Sequence, residues 1–476
     1  MSLLINSLLL TLTEFDPACT KLSGLLENPL NLLLLILAGI LLLFFAYAWI
    51  VSMKENERRA ENLILFFGIL LISPLLLLLL TEFQNREIVV CIVAGIYILI
   101  PLLLFLPLDK KHFKPADEPA GRIDERDIMF SRAHYNPGSD RYKSYYKKYP
   151  DKETLDDKFR EKPGLLQPGS TFYDPLFFNA ADASFDTVAA FHTIVDGTPA
   201  KLRTELGPEK VTDFIKKWAV KLGAKDVGVT LLRDYHKYSV TGRGDDYGKT
   251  IELNHKFAIA FTVEMDKEIM DTAPHAPAVL ETSQQYLESG EVAVQVALMI
   301  RRLGFPARAH IDGKYQVVCP LIAKDAGLGE IGRMGLLMTA RQGPRVRISV
   351  VTTDIPLIVD QSRKDPTVEE FCRICKKCAE TCPSKAISFD DMKDIDGVKR
   401  WQISQEKCFT YWSQIGTDCG KCMAVCPYAH PNNFFHNIIR YGIRKNYLFR
   451  KIAVQLDDLF YGKRPKAKGT PEKIRT

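Results

Sequence analysis

Cysteine is scarce over most of this 476-residue chain: of eleven, eight fall between Cys372 and Cys426, and only Cys19, Cys91 and Cys319 lie elsewhere. Disulfide frameworks spread their cysteines along small secreted domains. The count therefore excludes that class, and the clustering points to metal. A strong excess of one charge is also missing, since Lys+Arg minus Asp+Glu is 63 − 57 = +6. The segment from Arg440 to Thr476 alone holds eleven basic and three acidic residues, so the remainder is slightly acidic. That excludes a uniformly basic nucleic-acid binder and leaves one basic tail. No internal repeat of about 20 to 50 residues is present, which sets aside solenoid arrays.

What the chain does have is three long uncharged runs, Leu30–Val51, Leu63–Leu80 and Ile88–Leu106. Each approaches the roughly 20 apolar residues that a helix needs to cross a hydrocarbon core of about 30 Å. Backbone groups there must be satisfied within the segment, which makes all three helices. The short loops set the orientation. Lys54, Arg58 and Arg59 follow the first run, Arg86 stands alone in the second loop, and Lys110, Lys111 and Lys114 follow the third. This places the N-terminus outside and the large C-terminal region on the cytoplasmic side of the inner membrane. Met1–Phe15 is apolar but short, and reads as interfacial or as a partial fourth span. The Arg58-Arg59 pair follows a complete span, so it reads as topology charge rather than as an export signal.

Five segments emerge: a membrane anchor over 1–108, a linker and wrapping arm over 109–206, a core over 207–366, a cysteine-rich, ferredoxin-like domain over 367–436 and a basic tail over 437–476. The arm is charged and rich in Tyr and Pro, with little helical or strand periodicity. In the core, Val211, Phe214, Ile215, Trp218, Ala219 and Leu222 keep helical spacing, and Pro277–Leu303 is a long helix stopped by Gly304. Val227–Leu232, Phe257–Val263, Ala307–Ile311 and Val346–Thr352 read as short strands. Helices alternating with such strands imply a mixed α/β (α+β) core. The tail would touch anionic headgroups, and from Lys463 onward it is expected to lack order.

The cysteines repeat one pattern. Cys372-x2-Cys375-x2-Cys378-x3-Cys382-Pro383 is followed by Cys408-x10-Cys419-x2-Cys422-x3-Cys426-Pro427. C-x2-C spacing with a C-x3-C-P ending is the ligand pattern of a pair of [4Fe-4S] cubanes, in which the cysteine before Pro ligates the other cube. Cys372, Cys375, Cys378 and Cys426 are thus assigned to one cluster, and Cys408, Cys419, Cys422 and Cys382 to the other. Zinc ribbons use pairs rather than two quartets with C-P endings. A two-cluster wire needs a terminus, and the residues between membrane and clusters are too many for a relay alone.

The run Lys324–Asp354 (KDAGLGEIGRMGLLMTARQGPRVRISVVTTD), with Ile300–Gly313 upstream and the two cysteine units downstream, resembles the reductive dehalogenases, which are corrinoid-dependent iron–sulfur enzymes. Asp124–Ser131 and His255–Met265 are similar to that family as well, so the resemblance spans roughly residues 122 to 436. The epoxyqueuosine reductases, which act on tRNA, are a more distant likeness through the AGLG run and the dicluster layout. Taken alone, Gly327-x-Gly329-x-x-Gly332 invites a dinucleotide reading, but no strand clearly precedes it. Glycines there let backbone approach a large flat ligand. With the resemblance, Gly327, Leu328, Gly329 and Gly332 are implied to bind a corrinoid (cobalamin), with His310 and Asp312 bordering it. The D-x-H-x-x-G signature of a cobalt-ligating histidine is missing: Asp234-Tyr235-His236 comes near, with Ser239 where glycine would stand. The corrinoid is therefore expected to bind without a protein histidine on cobalt.

The resemblance also implies a proton donor at Tyr286, ahead of the long helix, with Arg345 or Arg347 as its basic partner. A guanidinium beside a phenol stabilises phenolate and lowers its pKa from about 10. Trp412 and Tyr411 wall the pocket or simply pack. The leading expectation is a membrane-anchored reductase removing halide from an organohalide with two electrons and a proton. Its electrons would come from a separate donor (ferredoxin, flavodoxin or quinol-linked), and nucleic acid is not an expected partner. Two other readings stand beside it: a dicluster electron-transfer subunit without corrinoid, and a tRNA-modifying enzyme like the epoxyqueuosine reductases.

Overall fold

The computed structural model describes residues 27–109, 118–361 and 365–475. Met1–Phe15, Cys19 and the topology charges Lys110, Lys111 and Lys114 lie outside them. The chain divides into two units, residues up to 110 with 441–463, and residues 111–440 with 464–476.

The first unit is built on three helices long and apolar enough to cross a membrane, Pro29–Lys54, Arg58–Leu80 and Arg86–Phe105. Asn28 caps the first by accepting from Leu30 N at 2.9 Å, and Pro29 sits at the position where a missing N–H costs nothing. Leu34, Ala38, Leu75 and Val90 form the contact between the helices. Leu43, Ile69 and Leu80 are instead more than two-thirds exposed, as expected of lipid-facing positions. Arg86 is buried, donating to Asn31 Oδ1 at 2.6 Å and to Leu78 O at 3.0 Å, which ties the ends of all three helices.

The basic tail is ordered, contrary to the sequence expectation. Tyr447–Tyr461 is a helix capped by Asn446, whose Nδ2 also donates to Leu103 O and Leu106 O at the end of the third apolar helix. Phe449 meets Phe105 and Phe460 meets Phe67. Beyond it, Arg464 pairs with Glu380 at 2.5 Å, Lys468 with Asp271 at 3.2 Å and Lys473 with Asp266 at 2.6 Å. Ile474 packs beside the Phe177–Phe178 cluster. These carboxylates lie far from the tail in sequence, so the stretch from Lys463 read as lacking order.

The second unit centres on a four-stranded sheet, β1 (Asp226–Leu231), β2 (Phe257–Glu264), β3 (Ala307–His310) and β6 (Val346–Thr353), in the order β1-β2-β6-β3. Every pairing is antiparallel, so the core is α+β rather than a parallel α/β sheet. Period-2 alternation sorts its two faces. Ile259, Phe261, Val229, Ala309 and Val351 face the long helix Ala276–Arg302 through Val292, Ala293, Val296 and Ile300. Ala258, Ala260 and Val350 face the opposite way, against Ile322 and Ala323 of the short helix Cys319–Asp325 and Leu337 of the β4–β5 hairpin (β4 Gly329–Ile331, β5 Leu337–Thr339). β3 pairs only with residues 350–353 of β6, so the N-terminal half of β6 has no strand on that side.

The arm is not a bare linker. It contains helices Asp140–Lys148, Pro150–Arg160 and Pro175–Ala190. The stripe of the first is Tyr142, Tyr145, Tyr146 and Tyr149, aromatic where a core helix usually carries aliphatics. Arg132 and Asp156 form a fully buried ion pair at 2.6 Å, and Arg132 also reaches Glu406 at 2.8 Å.

Candidate active site and cluster thiols

The eight thiols form two adjoining groups. Cys426 lies in the electrostatic reach of Cys372, Cys375 and Cys378, and Cys422 in that of Cys419, Cys408, Cys382 and also Cys378. Left-handed residues make the tight turns between them: Lys376 at φ 54° between Cys375 and Cys378, and Cys419 itself at φ 61°. Burial pushes the Cys378, Cys408 and Cys419 thiols up to about 12, and Cys372, Cys422 and Cys426 upward as well. Thiolate charge in such an interior calls for metal beside it. Ala386 N already donates to Cys382 Sγ at 3.3 Å. Donor chemistry and grouping thus fit two clusters. Cys319 is buried at the head of its short helix and Cys91 is exposed on the third apolar helix.

The glycine-rich run passes directly over the first thiol group. Gly327 turns the chain at φ 80° after the helix Cys319–Asp325, and Leu328 packs against the sheet. A Cβ on Gly329 would stand 2.2 Å from Met338 O, and one on Gly332 would stand 2.8 Å from Met338 Cγ and 3.6 Å from Cys372 Sγ. The tight approach at Gly329 is therefore to the backbone of the partner strand, and that at Gly332 to the Met338 side chain, with Cys372 Sγ at ordinary contact distance. Arg333, next in the chain, is buried against Trp401, with its guanidinium 4.7 Å from the ring.

A second constellation fills the gap left where β3 stops. Tyr286 comes from the third turn of the long helix, within it rather than ahead of it. Arg347 comes from the half of β6 that β3 does not cover, and Asp312 and Tyr315 from the chain leaving β3. The Arg347 guanidinium lies 4.8 Å above the Tyr286 ring, and Phe185 flanks the phenol at 6.1 Å. Arg347 Nη2 donates to Thr282 Oγ1 at 3.0 Å and to Asp418 Oδ2 at 3.1 Å, and Thr282 Oγ1 donates to the same carboxylate oxygen at 2.7 Å. Asp418 immediately precedes the cluster thiol Cys419, so one chain segment carries both.

Tyr286, Asp312 and Tyr315 lie deep in the unit yet keep some accessible surface. Burial pushes the Tyr286 phenol above its ordinary value, and Arg347 offsets only part of that rise. The net direction is opposite to the expected lowering, because desolvation of phenolate outweighs one guanidinium. Burial likewise raises the Asp312 and Asp418 carboxyls, against the pull of Arg347, with Arg243 also drawing Asp312 down. Arg243 is itself paired with Glu125 at 3.1 Å.

Two expected residues are not brought here. Arg345 is buried elsewhere, donating to Ala429 O, to Met265 O and to Glu264 at 3.2 Å, so it is Arg347 that meets the tyrosine. His310 is fully buried within the sheet: its Nδ1 accepts from Gln316 N at 3.2 Å and its Nε2 meets Thr352 Oγ1 at 2.9 Å. Burial pulls its pKa well down, so it is a neutral structural group. His236 of the near-motif commits Nδ1 to Arg233 N and Nε2 to Asp325. Trp412 packs with Phe130 and Phe409. Sequence reasoning missed Arg243, Tyr315, Thr282 and Asp418. Only Asp418 carried a signal, its place beside Cys419.

Comparison with known proteins agrees with the resemblance. Residues 371–430 match the 4Fe-4S dicluster domain family. The chain is 35% identical over 206 residues to the tetrachloroethene reductive dehalogenase of Desulfitobacterium hafniense, covering 41% of this chain and 37% of that one. It is 33% identical over 291 residues to the tetrachloroethene reductive dehalogenase of Sulfurospirillum multivorans, covering 54% of this chain and 58% of that one. A solved reductive dehalogenase, whose structure was described as suggesting a mechanism for B12-dependent dehalogenation, superposes with a TM-score of 0.60 at 25% identity, covering 74% of this chain and 49% of that one. The chain thus spans well under two-thirds of the length of each. It shares the reductive dehalogenase fold, carries a 4Fe-4S dicluster domain near its C-terminus and is similar in sequence to reductive dehalogenases.

Proposed function

We propose that this chain is a membrane-anchored, corrinoid- and iron–sulfur-dependent reductase that replaces the halogen of an organohalide with hydrogen. The observation that carries the reading is Tyr286, buried under Arg347 in the gap of the sheet and linked through Asp418 to the cluster thiols. In this reading 207–366 is the corrinoid-binding core and 367–436 the dicluster domain, with Cys372, Cys375, Cys378 and Cys426 on one cluster and Cys408, Cys419, Cys422 and Cys382 on the other. A corrinoid, when bound, supplies low-valent cobalt, a strong nucleophile and reductant. Backbone at Gly327 and Leu328 and the polar groups of Asp312 and Tyr315 would hold it.

The reaction consumes two electrons and one proton, and releases halide. The two clusters, when bound by these thiols, would supply one-electron carriage from a separate donor, a ferredoxin, a flavodoxin or a quinol-linked carrier. Tyr286 Oη holds the proton. Burial keeps the phenol protonated at neutral pH, and Arg347 steadies the phenolate left after transfer. The site favours an uncharged substrate. Arg347 is committed to Asp418 and Arg243 to Glu125, and Asp312 adds a third carboxyl, so neither arginine is left to neutralise a substrate carboxylate or phenolate. The tetrachloroethene in the relatives' names is an uncharged halide of this kind.

Protein purified without oxygen from cells supplied with vitamin B12 is expected to hold about eight irons and one cobalt per chain, and to reduce a chlorinated ethene while leaving a chlorobenzoate untouched. Iron without cobalt would sink the reading in favour of a dicluster electron-transfer subunit. Lys54 at the end of the first apolar helix and Arg58 and Arg59 at the start of the second support an orientation with that loop and the C-terminal region on the cytoplasmic side of the inner membrane. A reporter enzyme fused after Thr476 should then be active in the cytoplasm, and periplasmic activity reverses the topology.

A further inference from the structure

We propose that Arg333 is the counter-charge of the cluster held by Cys372, Cys375, Cys378 and Cys426, and that it raises the reduction potential of that cluster. Arg333 is 2% exposed. Its Nε donates to Cys372 O at 3.1 Å, and its Nη1 to Ser388 O at 2.8 Å and Asp390 O at 2.6 Å. All of these partners are neutral backbone carbonyls, and the remaining face is closed by Trp401. A buried cation is ordinarily paired with an anion, because its desolvation is otherwise uncompensated. The carboxylate whose field it feels, Asp391, lies at the surface and pairs with Arg373 at 3.0 Å.

The other groups facing it are the cluster thiols Cys378, Cys372 and Cys375. Gly332, the residue before it, carries the loop past Cys372, to whose Sγ a Cβ there would stand at 3.6 Å, an ordinary contact distance. A cluster bound by four thiolates is anionic and becomes more so on reduction. A guanidinium sealed from water by carbonyls and an indole therefore favours the reduced form, with little solvent screening. Lys421 faces Cys419 of the other group, but it is only half-buried, with Nζ on Pro465 O at 3.1 Å, so its field is better screened. Reduction adds one electron and no proton, the electron coming from dithionite in the test and from the low-potential donor in the reaction. The inference stands on the cluster thiols alone, so the presence or absence of cobalt does not bear on it.

The test is an EPR-monitored redox titration of the full-length, iron-loaded protein. With Arg333→Gln, reduction of one cluster should become about tenfold less favourable, a fall of ~59 mV for a one-electron couple, while the other midpoint stays in place. Arg333→Lys, which keeps the charge, should recover most of the shift. Trp401→Leu, which admits water to the guanidinium, should move the same midpoint in the same direction by less, and it decides the matter if Arg333→Gln fails to load iron. Two unmoved midpoints, equal shifts of both, or a Lys variant as low as the Gln variant overturn the assignment.

Discussion

Tyr286→Phe is expected to cost about 10²–10⁴ in kcat, the usual contribution of a positioned general acid, while leaving iron and cobalt contents unchanged. The substitution removes one oxygen and keeps the ring that Arg347 and Phe185 flank. Fold and cofactor loading should therefore survive, and the loss should fall on the proton-transfer step. Because burial holds the wild-type phenol above its ordinary value of about 10, this group should impose no alkaline limb on the activity profile below roughly that pH. Full activity in the phenylalanine variant would mean that the proton comes from elsewhere.

Asp156→Ala is expected to destabilise the second unit by about 3–5 kcal/mol, the cost of leaving a buried charge without its partner. Asp156 accepts from Arg132 Nε at 2.8 Å, Arg132 Nη2 at 2.6 Å and Tyr146 Oη at 2.6 Å, and both side chains of the ion pair are fully buried. Domains hold only about 5–15 kcal/mol in total, so the loss is a large fraction of stability. Arg132 would be left with Glu406, on the helix Gln405–Ile415 that also carries Cys408. Iron retention should therefore fall together with the urea midpoint. A midpoint unchanged within error would show that the pair contributes little.

Elements with a strong local signal were legible. The long helix and the four strands of the sheet stand within a residue or two of where hydrophobic runs and period-2 or 3.6 spacing put them, and the three apolar helices extend the uncharged runs by up to five residues into their charged flanks. The cysteine spacing carried its own chemistry, because C-x2-C turns bring thiols together by local geometry. The first helix of the arm did carry a signal, Tyr142, Tyr145, Tyr146 and Tyr149 at i, i+3, i+4, i+7 spacing, masked by the charge of the stretch around it. The tail read as lacking order from Lys463 because the carboxylates that fix it lie on distant segments.

Sequence alone determined the three long apolar helices, the two cysteine quartets and the likeness to reductive dehalogenases, all of which depend on residues close together in the chain. Only the tertiary structure decided that Arg347 rather than Arg345 meets Tyr286. Arg347 lies on β6 while Arg345 stands just before the strand begins, and partners from other segments hold the two side chains apart, one on Asp418 and one on Glu264. It also decided that His310 is a neutral strut inside the sheet and that Asp312 lines the gap, because a short β3 ends between them. Where a strand stops is a matter of long-range pairing, and no local pattern in the chain encodes it.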